Sequence, residues 1–409
     1  MNEFLPWLLI SLLGLGAGVF TLYYLAAPPL RMSLYLALAL SAGFAAAALV
    51  AQSFTEWLLP GGLALVCFVI GYISAVALFL AQRETHHLPV LTRQPGEAGQ
   101  GHTAVIYFTH GEPQAYSPLP WLETFHELDA DRVPSVPWMF RPLFFYNLRK
   151  YYLEIGGSLH NAVHESMLHS LQASWLQADH AGIRFYLAFL DNSPRPDEVA
   201  IRALNDGASR IILAAVFLTD SSHTHLGYEM VQALEPARYG VSLAMTAPLW
   251  DAEALQRVYV ERARQHLGET QPSRAGVILV GHGQPPAWDQ IYGTQTEQEI
   301  LFRQQVKQRF VLDGYLAENI QLAWMEFKAP RIREAVQALI KNGVEKLFVA
   351  PASISASAIH SEIEIPHLVQ QAGIPDEVAV IHLGAWGNDP LVIEAIRLKI
   401  QACLEGNDR

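Results

Sequence analysis

The sequence predicts an α/β fold of two tandem, doubly wound parallel-sheet lobes, preceded by a three-helix transmembrane segment. Three observations predict it: an almost uncharged N-terminal stretch, short apolar runs that alternate with amphipathic ones in the remainder, and a pair of motifs that occurs twice. The predicted domains are three transmembrane helices at 1–82, a linker at 83–102, an N-terminal lobe with an aromatic insertion at 103–270, and a C-terminal lobe at 271–409.

The charge of the chain is divided unevenly. Its 409 residues are 51% hydrophobic and only 16% charged, which is more apolar than an ordinary soluble enzyme. Residues 1–82 contain three formal charges, Glu3, Arg31 and Glu56, and contribute only −1 to the net charge of −12. The remainder is strongly acidic, which argues against nucleic acid as a partner.

Three long apolar runs, at residues 4–27, 32–54 and 57–81, account for the N-terminal part. Each exceeds the roughly 20 residues that a helix needs to cross a hydrocarbon core of about 30 Å. A cleaved signal peptide would instead have a basic start and one shorter apolar core. We therefore expect a multi-pass membrane segment with the lipid bilayer as a partner; a buried soluble hairpin is the alternative.

Basic residues predict the orientation of this segment, since Arg and Lys are retained on the cytoplasmic side. Arg31, Arg83 and Arg93 fall on one side of the predicted membrane, whereas Glu3 and Glu56 fall on the other. We therefore expect a cytoplasmic soluble domain. The sequence leaves open whether the chain forms a homo-oligomer or has a membrane partner.

The chain contains only two cysteines, Cys67 inside the third apolar run and Cys403 near the C-terminus. Two thiols at these positions provide neither a disulfide framework nor a four-thiolate iron–sulfur site. We therefore expect no iron–sulfur cluster.

Strands and helices alternate in the predicted soluble part. Residues 82–102 are rich in Gly, Pro, His and Gln without hydrophobic periodicity, which indicates a linker. Helical patterns such as those at 196–206 and 330–342 each end at a glycine. Short apolar strands separated by helices indicate parallel sheets with both faces covered. The strands are predicted at 104–108, 183–189, 210–217, 276–280, 320–324, 346–350 and 378–383.

The soluble part also repeats itself. Residues 105–113 and 278–285 both consist of an apolar strand, then His-Gly, one polar residue and Pro, and a helix, a Gly stop and a buried strand occur in both 203–219 and 338–354. Two tandem lobes of similar design explain this pattern. His282 lies 172 residues after His110. The glycines that end the helices of the second repeated motif, Gly207 and Gly343, are only 136 residues apart. The first lobe therefore contains about 36 extra residues.

The extra length falls in an aromatic segment at 116–160. Such a segment suits a flat apolar ligand, and interleaved basic residues suit carboxylates at its edges. The aromatic residues proposed as this ligand wall are Trp138, Phe140 and Tyr146; the interleaved basic residues are Arg132, Arg141, Arg149 and Lys150. A helix pair that packs on the core or lies on the bilayer is the alternative.

Two histidines follow buried strands of the second lobe. His282 comes directly after one strand, and His360 follows another through a run of small residues. Open α/β sheets place their sites at such strand ends. Two imidazoles with a carboxylate suit a divalent first-row metal and leave positions open for a substrate. Glu362 and Glu364 lie about 200° apart around a helix, so only one of them can point at a metal there, and we favour Glu364 as the third residue.

These motifs resemble the ferrochelatase family in order along the chain. Residues 280–285, Val-Gly-His-Gly-Gln-Pro, are similar to the strand-end motif whose His accepts pyrrole protons and meets the metal. Gly156, Gly157 and Ser158 resemble that family's Gly-Gly-Ser-Pro-Leu turn, and further matches extend the likeness over residues 104 to about 400. The resemblance implies a tetrapyrrole substrate. It also implies that the Gly-Gly-Ser turn contacts this ligand.

One departure from the family concerns the second metal residue. The usual Ser-Asp-His-x-Glu-Thr string does not occur in the sequence. Residues 360–366 instead resemble the His-x-x-x-Asp-Ile-Pro ending of the small sirohydrochlorin cobaltochelatases, where their second metal-binding His lies. The resemblance implies that His282 and His360 face each other, with His360 holding the metal and Glu364 orienting an imidazole or carrying protons away.

The resemblance therefore implies a chelatase, a lyase whose substrate is a divalent metal ion. Fe²⁺ insertion into a porphyrin, a step of heme biosynthesis, is our first expectation, because a ring with eight carboxylates would be repelled by an acidic surface. Co²⁺ or Ni²⁺ insertion into another tetrapyrrole, a non-catalytic tetrapyrrole or metal carrier, and a membrane scaffold with an inert domain are the alternatives. The first-lobe histidines His110, His223 and His225 are interpreted as structural or secondary.

Overall fold

The computed structural model describes residues 4–52, 58–133, 136–176 and 182–406. The α-helices are α1 Phe4–Ala26, α2 Pro29–Ala51, α3 Leu58–Leu80, α4 Leu119–Ala130, α5 Arg141–Ile155, α6 His160–Leu176, α7 Pro196–Asn205, α8 Ser222–Gln232, α9 Glu253–His266, α10 Pro286–Ile291, α11 Gly293–Leu312, α12 Ile332–Lys341, α13 Ile365–Gln370 and α14 Pro390–Leu404. The strands are β1 His102–Thr109, β2 Ile183–Phe189, β3 Ala208–Ala215, β4 Ser242–Met245, β5 Ala275–Gly281, β6 Ile320–Trp324, β7 Lys346–Pro351 and β8 Ala379–His382.

The chain forms two compact units. The first contains Met1–Thr85 and Ala115–Gly157, and the second contains His86–Gln114 and Ser158–Arg409. The aromatic insertion, which the sequence assigns to the N-terminal lobe, is thus grouped with the three apolar helices.

The first unit is built on α1, α2 and α3, each 23 residues long and apolar enough to cross a membrane. At a rise of 1.5 Å per residue, each helix is about 35 Å long. Close packing of α1 on α3 depends on glycine, because a Cβ at Gly18 would lie 2.1 Å from the Phe68 carbonyl oxygen and one at Gly71 would lie 2.2 Å from that of Leu15. Of the acidic residues used to predict orientation, Glu3 and Glu56 lie outside the described residues.

The rest of the first unit packs against the ends of these helices through aromatic rings. Phe145 of α5 meets Phe79 of α3 edge to face, with ring centroids 5.2 Å apart, and also contacts Phe125 of α4. Arg149 is 1% exposed and donates to the carbonyl oxygens of Tyr24 and Ala27 at 2.7 and 2.8 Å. Its guanidinium therefore satisfies carbonyls that the end of α1 leaves without helical partners.

Two all-parallel four-stranded sheets form the second unit. Their orders are β2-β1-β3-β4 and β6-β5-β7-β8, which are the same arrangement used twice. The predicted class of two tandem, doubly wound parallel lobes is confirmed. β1 and β5 occupy equivalent central positions, so the residues that follow them emerge at equivalent sheet edges.

Seven of the eight strands coincide with the runs predicted from the sequence. β4 was missed, since it has only four residues, and none of them is fully buried. β8 is an equally short edge strand, but it begins in four consecutive apolar residues at 378–381, whereas Ser242 leaves β4 only the three at 243–245.

One apolar cluster joins the two lobes. It contains Tyr107 and Ile212 from the first sheet, Val277 and Phe348 from the second, and Tyr259 of α9. The predicted linker is also fixed to this unit, because Arg93 is 8% exposed and donates to the Ala208 carbonyl oxygen at 2.6 Å. Residues 86–101 contain no helix or strand, as expected of a linker, but they lie on the first lobe.

Candidate functional site

His282 lies directly after β5, where the backbone is tightly held. Its backbone N–H donates to Oε1 of the buried Glu299 at 2.6 Å, and its ring Nδ1–H donates to the Gly283 carbonyl oxygen at 2.7 Å. Gly283 has a φ of 82°, and a Cβ there would lie 2.4 Å from the Glu326 carbonyl oxygen. The His-Gly pair of the motif is therefore required by the turn as well as by the imidazole.

His360 lies beyond β7, on a single π-helical turn, His360–Glu364. Such wide turns are frequent at functional sites, and this one brings residues four apart to the same side. The Nδ1–H of His360 donates to Oε2 of Glu364 in a short hydrogen bond. Glu362, the other carboxylate of the motif, is exposed and accepts a bond from the Ser361 hydroxyl at 3.1 Å.

The two rings lie side by side. The centroids of His282 and His360 are 5.3 Å apart, and the ring planes are inclined at 75°. Each ring uses Nδ1 as a donor, which in the neutral tautomer leaves the lone pair on Nε2. Across the described ranges, no group of three or more His, Cys, Asp or Glu side chains is arranged to hold a metal ion. Glu364 is therefore positioned to orient His360, and the two imidazoles leave other positions around an ion open.

The electrostatics of His360 are dominated by burial and by three carboxylates. Burial disfavours the imidazolium, but Glu364, Glu112 and Glu326 together outweigh it and raise the pKa of His360 to about 9. Burial alone would raise the pKa of Glu364, yet the adjacent imidazolium lowers it. The two side chains form an ion pair at neutral pH, so any cation that bound through this ring would first have to displace its proton.

Glu112 is a site residue that the sequence analysis missed. It is 7% exposed, and its Oε1 accepts from the backbone N–H of Ile359 at 3.3 Å, next to His360. Burial raises the pKa of its carboxyl, with a hydrogen bond from Ser158 acting in the opposite direction. The signal was present in the internal repeat, since Glu112 occupies the position of Gln284 in the first copy of the motif.

The first-lobe histidines form a second cluster, which lies close enough to His282 for that imidazole to contribute to lowering the pKa of His223. His110 Nδ1 lies 3.0 Å from Oδ2 of Asp191, and the rings of His110 and His223 are 4.4 Å apart. Burial and the neighbouring His110 lower the pKa of His223 to about 3, so this ring is neutral. His225 Nε2 lies 3.3 Å from Oδ1 of Asp220.

The residues proposed as a ligand wall and turn fall in both units. Trp138, Phe140, Tyr146, Gly156 and Gly157 belong to the first unit, where the ring of Tyr146 lies 6.0 Å from that of Tyr24. Ser158 belongs to the second unit, is 3% exposed and hydrogen-bonds to Glu112. The structure therefore brings together His282, His360, Glu364 and Ser158 within one unit.

Comparison with known proteins shows which family is similar to the part of the chain that contains these two histidines. Residues 276–403, which contain both His282 and His360, match the CbiX family model. This part of the chain is similar to the CbiX family. A ferrochelatase of Synechococcus elongatus is 22% identical over 331 residues, covering 75% of this chain and 83% of the relative. A sirohydrochlorin cobaltochelatase of Methanothermobacter thermautotrophicus is 24% identical over 152 residues, covering 33% of this chain and 96% of the relative.

A solved structure has a similar fold. SirB from Bacillus subtilis with Fe³⁺ superposes with a TM-score of 0.50 at 14% identity, covering 75% of this chain and 98% of SirB. The likeness covers enough of the chain to include both sheets, which agrees with the two-lobed fold predicted from the sequence.

The effect of the Glu364 carboxylate on the pKa of His360 can be tested by titration. With Glu364→Gln, burial of His360 is opposed only by Glu112 and Glu326, so we expect the pKa of His360 to fall from about 9 toward its ordinary value of 6.5. NMR titration of histidine Cε1 signals in the detergent-solubilised chain measures it, with the signal assigned by its loss in His360→Gln. Glu362→Gln, two residues away and exposed, is the control and should leave the midpoint unchanged. An unchanged midpoint in Glu364→Gln would contradict the ion pair.

Proposed function

We propose that the chain is a membrane-anchored tetrapyrrole metal chelatase that inserts ferrous iron into a dicarboxylic porphyrin. The observation that carries this proposal is the His282–His360 pair, whose rings are 5.3 Å apart. The relatives named ferrochelatase and sirohydrochlorin cobaltochelatase support the reaction class. The three apolar helices, long enough to cross a membrane, support the anchor, and the basic residues near their ends favour a cytoplasmic second unit.

Metal delivery is assigned to His360. A hydrated ion must lose waters as it approaches the ring, so the ligand that holds it must be able to release it again. The neutral His360 ring has its Nδ1–H held by Glu364, which fixes Nε2 as the donor atom for the ion. Glu364 therefore acts by orientation, and the carboxylate remains an acceptor for the imidazole proton.

Proton removal is assigned to His282 and Glu112. Two pyrrole N–H protons leave as the divalent ion enters, and the protein must accept both. His282, with its lone pair on Nε2, accepts one proton. Glu112 accepts the other, because burial raises the pKa of its carboxyl and brings it closer to that of a neutral-pH base.

The substrate follows from charge and from the anchor. The net charge of −12 lies almost wholly outside residues 1–82, and such a surface repels a ring with eight carboxylates. A dicarboxylic porphyrin partitions into lipid and reaches a membrane-held enzyme from there. Iron is the ion that the ferrochelatase likeness favours.

Cobalt or nickel insertion into another tetrapyrrole is the second candidate. The His360–Glu364 turn and the following Ile365 and Pro366 resemble the cobaltochelatase ending, and a relative with that name aligns over 96% of its length. The two candidates use the same residues, so only substrate preference distinguishes them.

Turnover tests the enzyme proposal against a non-catalytic carrier. Purified chain in detergent, mixed with a large excess of Zn²⁺ and a dicarboxylic porphyrin, is expected to form many equivalents of zinc porphyrin, which fluorescence measures. Product that stops at one equivalent per chain would contradict catalysis and favour the carrier. In a parallel anaerobic assay, Fe²⁺ with the dicarboxylic ring should give a kcat/KM about tenfold or more above Co²⁺ with an octacarboxylic ring. The reverse preference would remove the iron assignment and keep the chelatase.

A further inference from the structure

An exposed apolar surface lies where the chain turns between α4 and α5. Its side chains are between 37% and 50% exposed, although each is large and apolar. They are Val136, Trp138, Met139, Phe140 and Leu143. Scattered single apolar residues need no explanation, but five within eight positions form a patch that marks a binding surface.

One hydrogen bond fixes the depth of this patch beside α3. The hydroxyl of Tyr72 donates to the Met139 carbonyl oxygen at 3.0 Å. Tyr72 lies eight residues before Leu80, the last residue of α3, which corresponds to about 12 Å along the helix axis. Helical side chains lean toward the N-terminus of their helix, and therefore away from Leu80 here. The Tyr72 hydroxyl thus lies at least about 12 Å from the level of Leu80 along the axis. An α3 of about 35 Å exceeds a 30 Å hydrocarbon core by only a few Å at each end, so Met139 lies roughly 10 Å inside it.

The chain contacts the ends of the apolar helices both before and after the exposed patch. Before it, His126 Nε2 donates to the Leu80 carbonyl oxygen at 2.7 Å. After it, Arg149 donates to Tyr24 and Ala27 at the end of α1, which is the same side of the membrane because α1 and α3 run in the same direction. The eight residues from Arg141 to Arg149 rise about 12 Å along α5, which agrees with the depth measured along α3.

The polar groups of the segment are arranged as a lipid environment requires. Arg141 is 5% exposed and paired with Asp129, and its Nε donates to the Val136 carbonyl oxygen at 3.2 Å. Beside this pair, a cavity of about 560 Å³ is lined by the last turn of α3, through Ala77 and Leu80, and by Val136 and Trp138. A charge at this level is tolerated only when paired, and an acyl chain is the occupant that a bilayer supplies for the apolar walls.

We propose that residues 136–143 form a membrane-inserting wedge that enters the leaflet beside α3, with lipid acyl chains as its partner. The inference rests on the membrane anchoring in the proposed function and goes beyond it. It also assigns Trp138 and Phe140 to lipid contact, whereas Tyr146, which packs on Tyr24, lies nearer the helix ends.

Spin labels on the full chain test the wedge. Cys67 and Cys403 are replaced by Ala, single cysteines are introduced and labelled with a nitroxide, and the chain is reconstituted in phosphatidylcholine–phosphatidylglycerol nanodiscs. Collision with oxygen and with a water-soluble nickel chelate then reports depth. We expect Met139→Cys to be about tenfold less accessible to nickel than Val311→Cys, an equally exposed position on α11, because the hydrocarbon core excludes water.

Further labels separate the wedge from the anchor. A label at Ile70→Cys, exposed in the middle of α3, should be accessible to oxygen but not to the nickel chelate if the helices span the membrane. Leu143→Cys should be shallower than Met139→Cys, and Lys150→Cys should lie at the headgroups, since α5 rises between them. A nickel-accessible Met139 with a lipid-buried Ile70 would overturn the wedge and keep the anchor. Equal depths at 139, 143 and 150 would replace the wedge by a segment lying flat on the surface, and a nickel-accessible Ile70 would overturn both proposals.

Discussion

His282→Ala and His360→Ala are each expected to lower the initial rate of metal insertion by at least about 100-fold, because each removes a proton acceptor or a metal ligand at the reacting centre. Loss of His360 should act through the metal, raising the KM for Zn²⁺ or Fe²⁺. Loss of His282 should lower kcat at saturating metal. The measurement is the zinc porphyrin fluorescence assay with detergent-solubilised chain, over a range of metal concentrations.

The pair should also behave as a unit. The double variant is expected to be little slower than the slower single variant, since groups that act together on one step are not additive. His266→Ala is the control: this histidine is exposed on α9 of the same unit and should leave the rate unchanged. Normal insertion by both single variants would remove the assignment of the site. Equal losses in kcat alone would contradict the division of roles between the two rings.

The part of the site that follows β5 was predictable because strand ends are visible in sequence. A fully apolar run, Ala275–Gly281, precedes His282 and stops at a glycine, which is the pattern of a buried parallel strand. Its repetition at His110 predicted two lobes, and both sheets have the same order. Glu112 was missed because the internal repeat marks its position but not its neighbours, and the contact with Ile359 that brings it near His360 is tertiary.

The aromatic segment shows where sequence reasoning stops. Its rings and basic residues were equally compatible with a ligand wall and with a membrane surface, since both bury aromatic faces and leave basic groups at a polar edge. Composition carries no information about which partner covers a side chain. The decisive facts are contacts of high sequence separation, Tyr72 with Met139 and Arg149 with Tyr24, which no local pattern encodes.

The pairing of His360 with Glu364 was only partly predictable from the sequence. A spacing of four places two side chains on one face of a helix, so the sequence could favour Glu364 over Glu362. A π-helical turn was not predictable, because it results from how the loop after β7 meets α13.

Arg303→Met is expected to destabilise the second unit by about 3–5 kcal/mol, the cost typical of leaving a buried charge, here the nearby Glu299 carboxylate, without a compensating charge. Arg303 is fully buried on α11, and its guanidinium carbon lies 3.8 Å from the centroid of the Trp324 ring. It also donates to the Ala323 carbonyl oxygen at 2.7 Å. Burial lowers the pKa of Arg303 to about 10, and the neighbouring Glu299 carboxylate opposes that shift. The substitution would leave Glu299 buried without its countercharge, and circular dichroism should record a fall in Tm of roughly 10 °C.

A double variant decides whether the charge or the packing is responsible. Glu299→Gln combined with Arg303→Met removes both charges and keeps an amide oxygen to accept from the His282 backbone N–H, so we expect most of the lost stability to return. Arg264→Met is the matched control, because its ion pairs with Asp313 and Glu261 are half exposed and should contribute less than about 1 kcal/mol. If the double variant is no more stable than Arg303→Met, lost packing on Trp324 explains the effect. If Arg303→Met itself melts like the wild type, the backbone of His282 does not depend on this pair, and another contact must hold the catalytic turn in place.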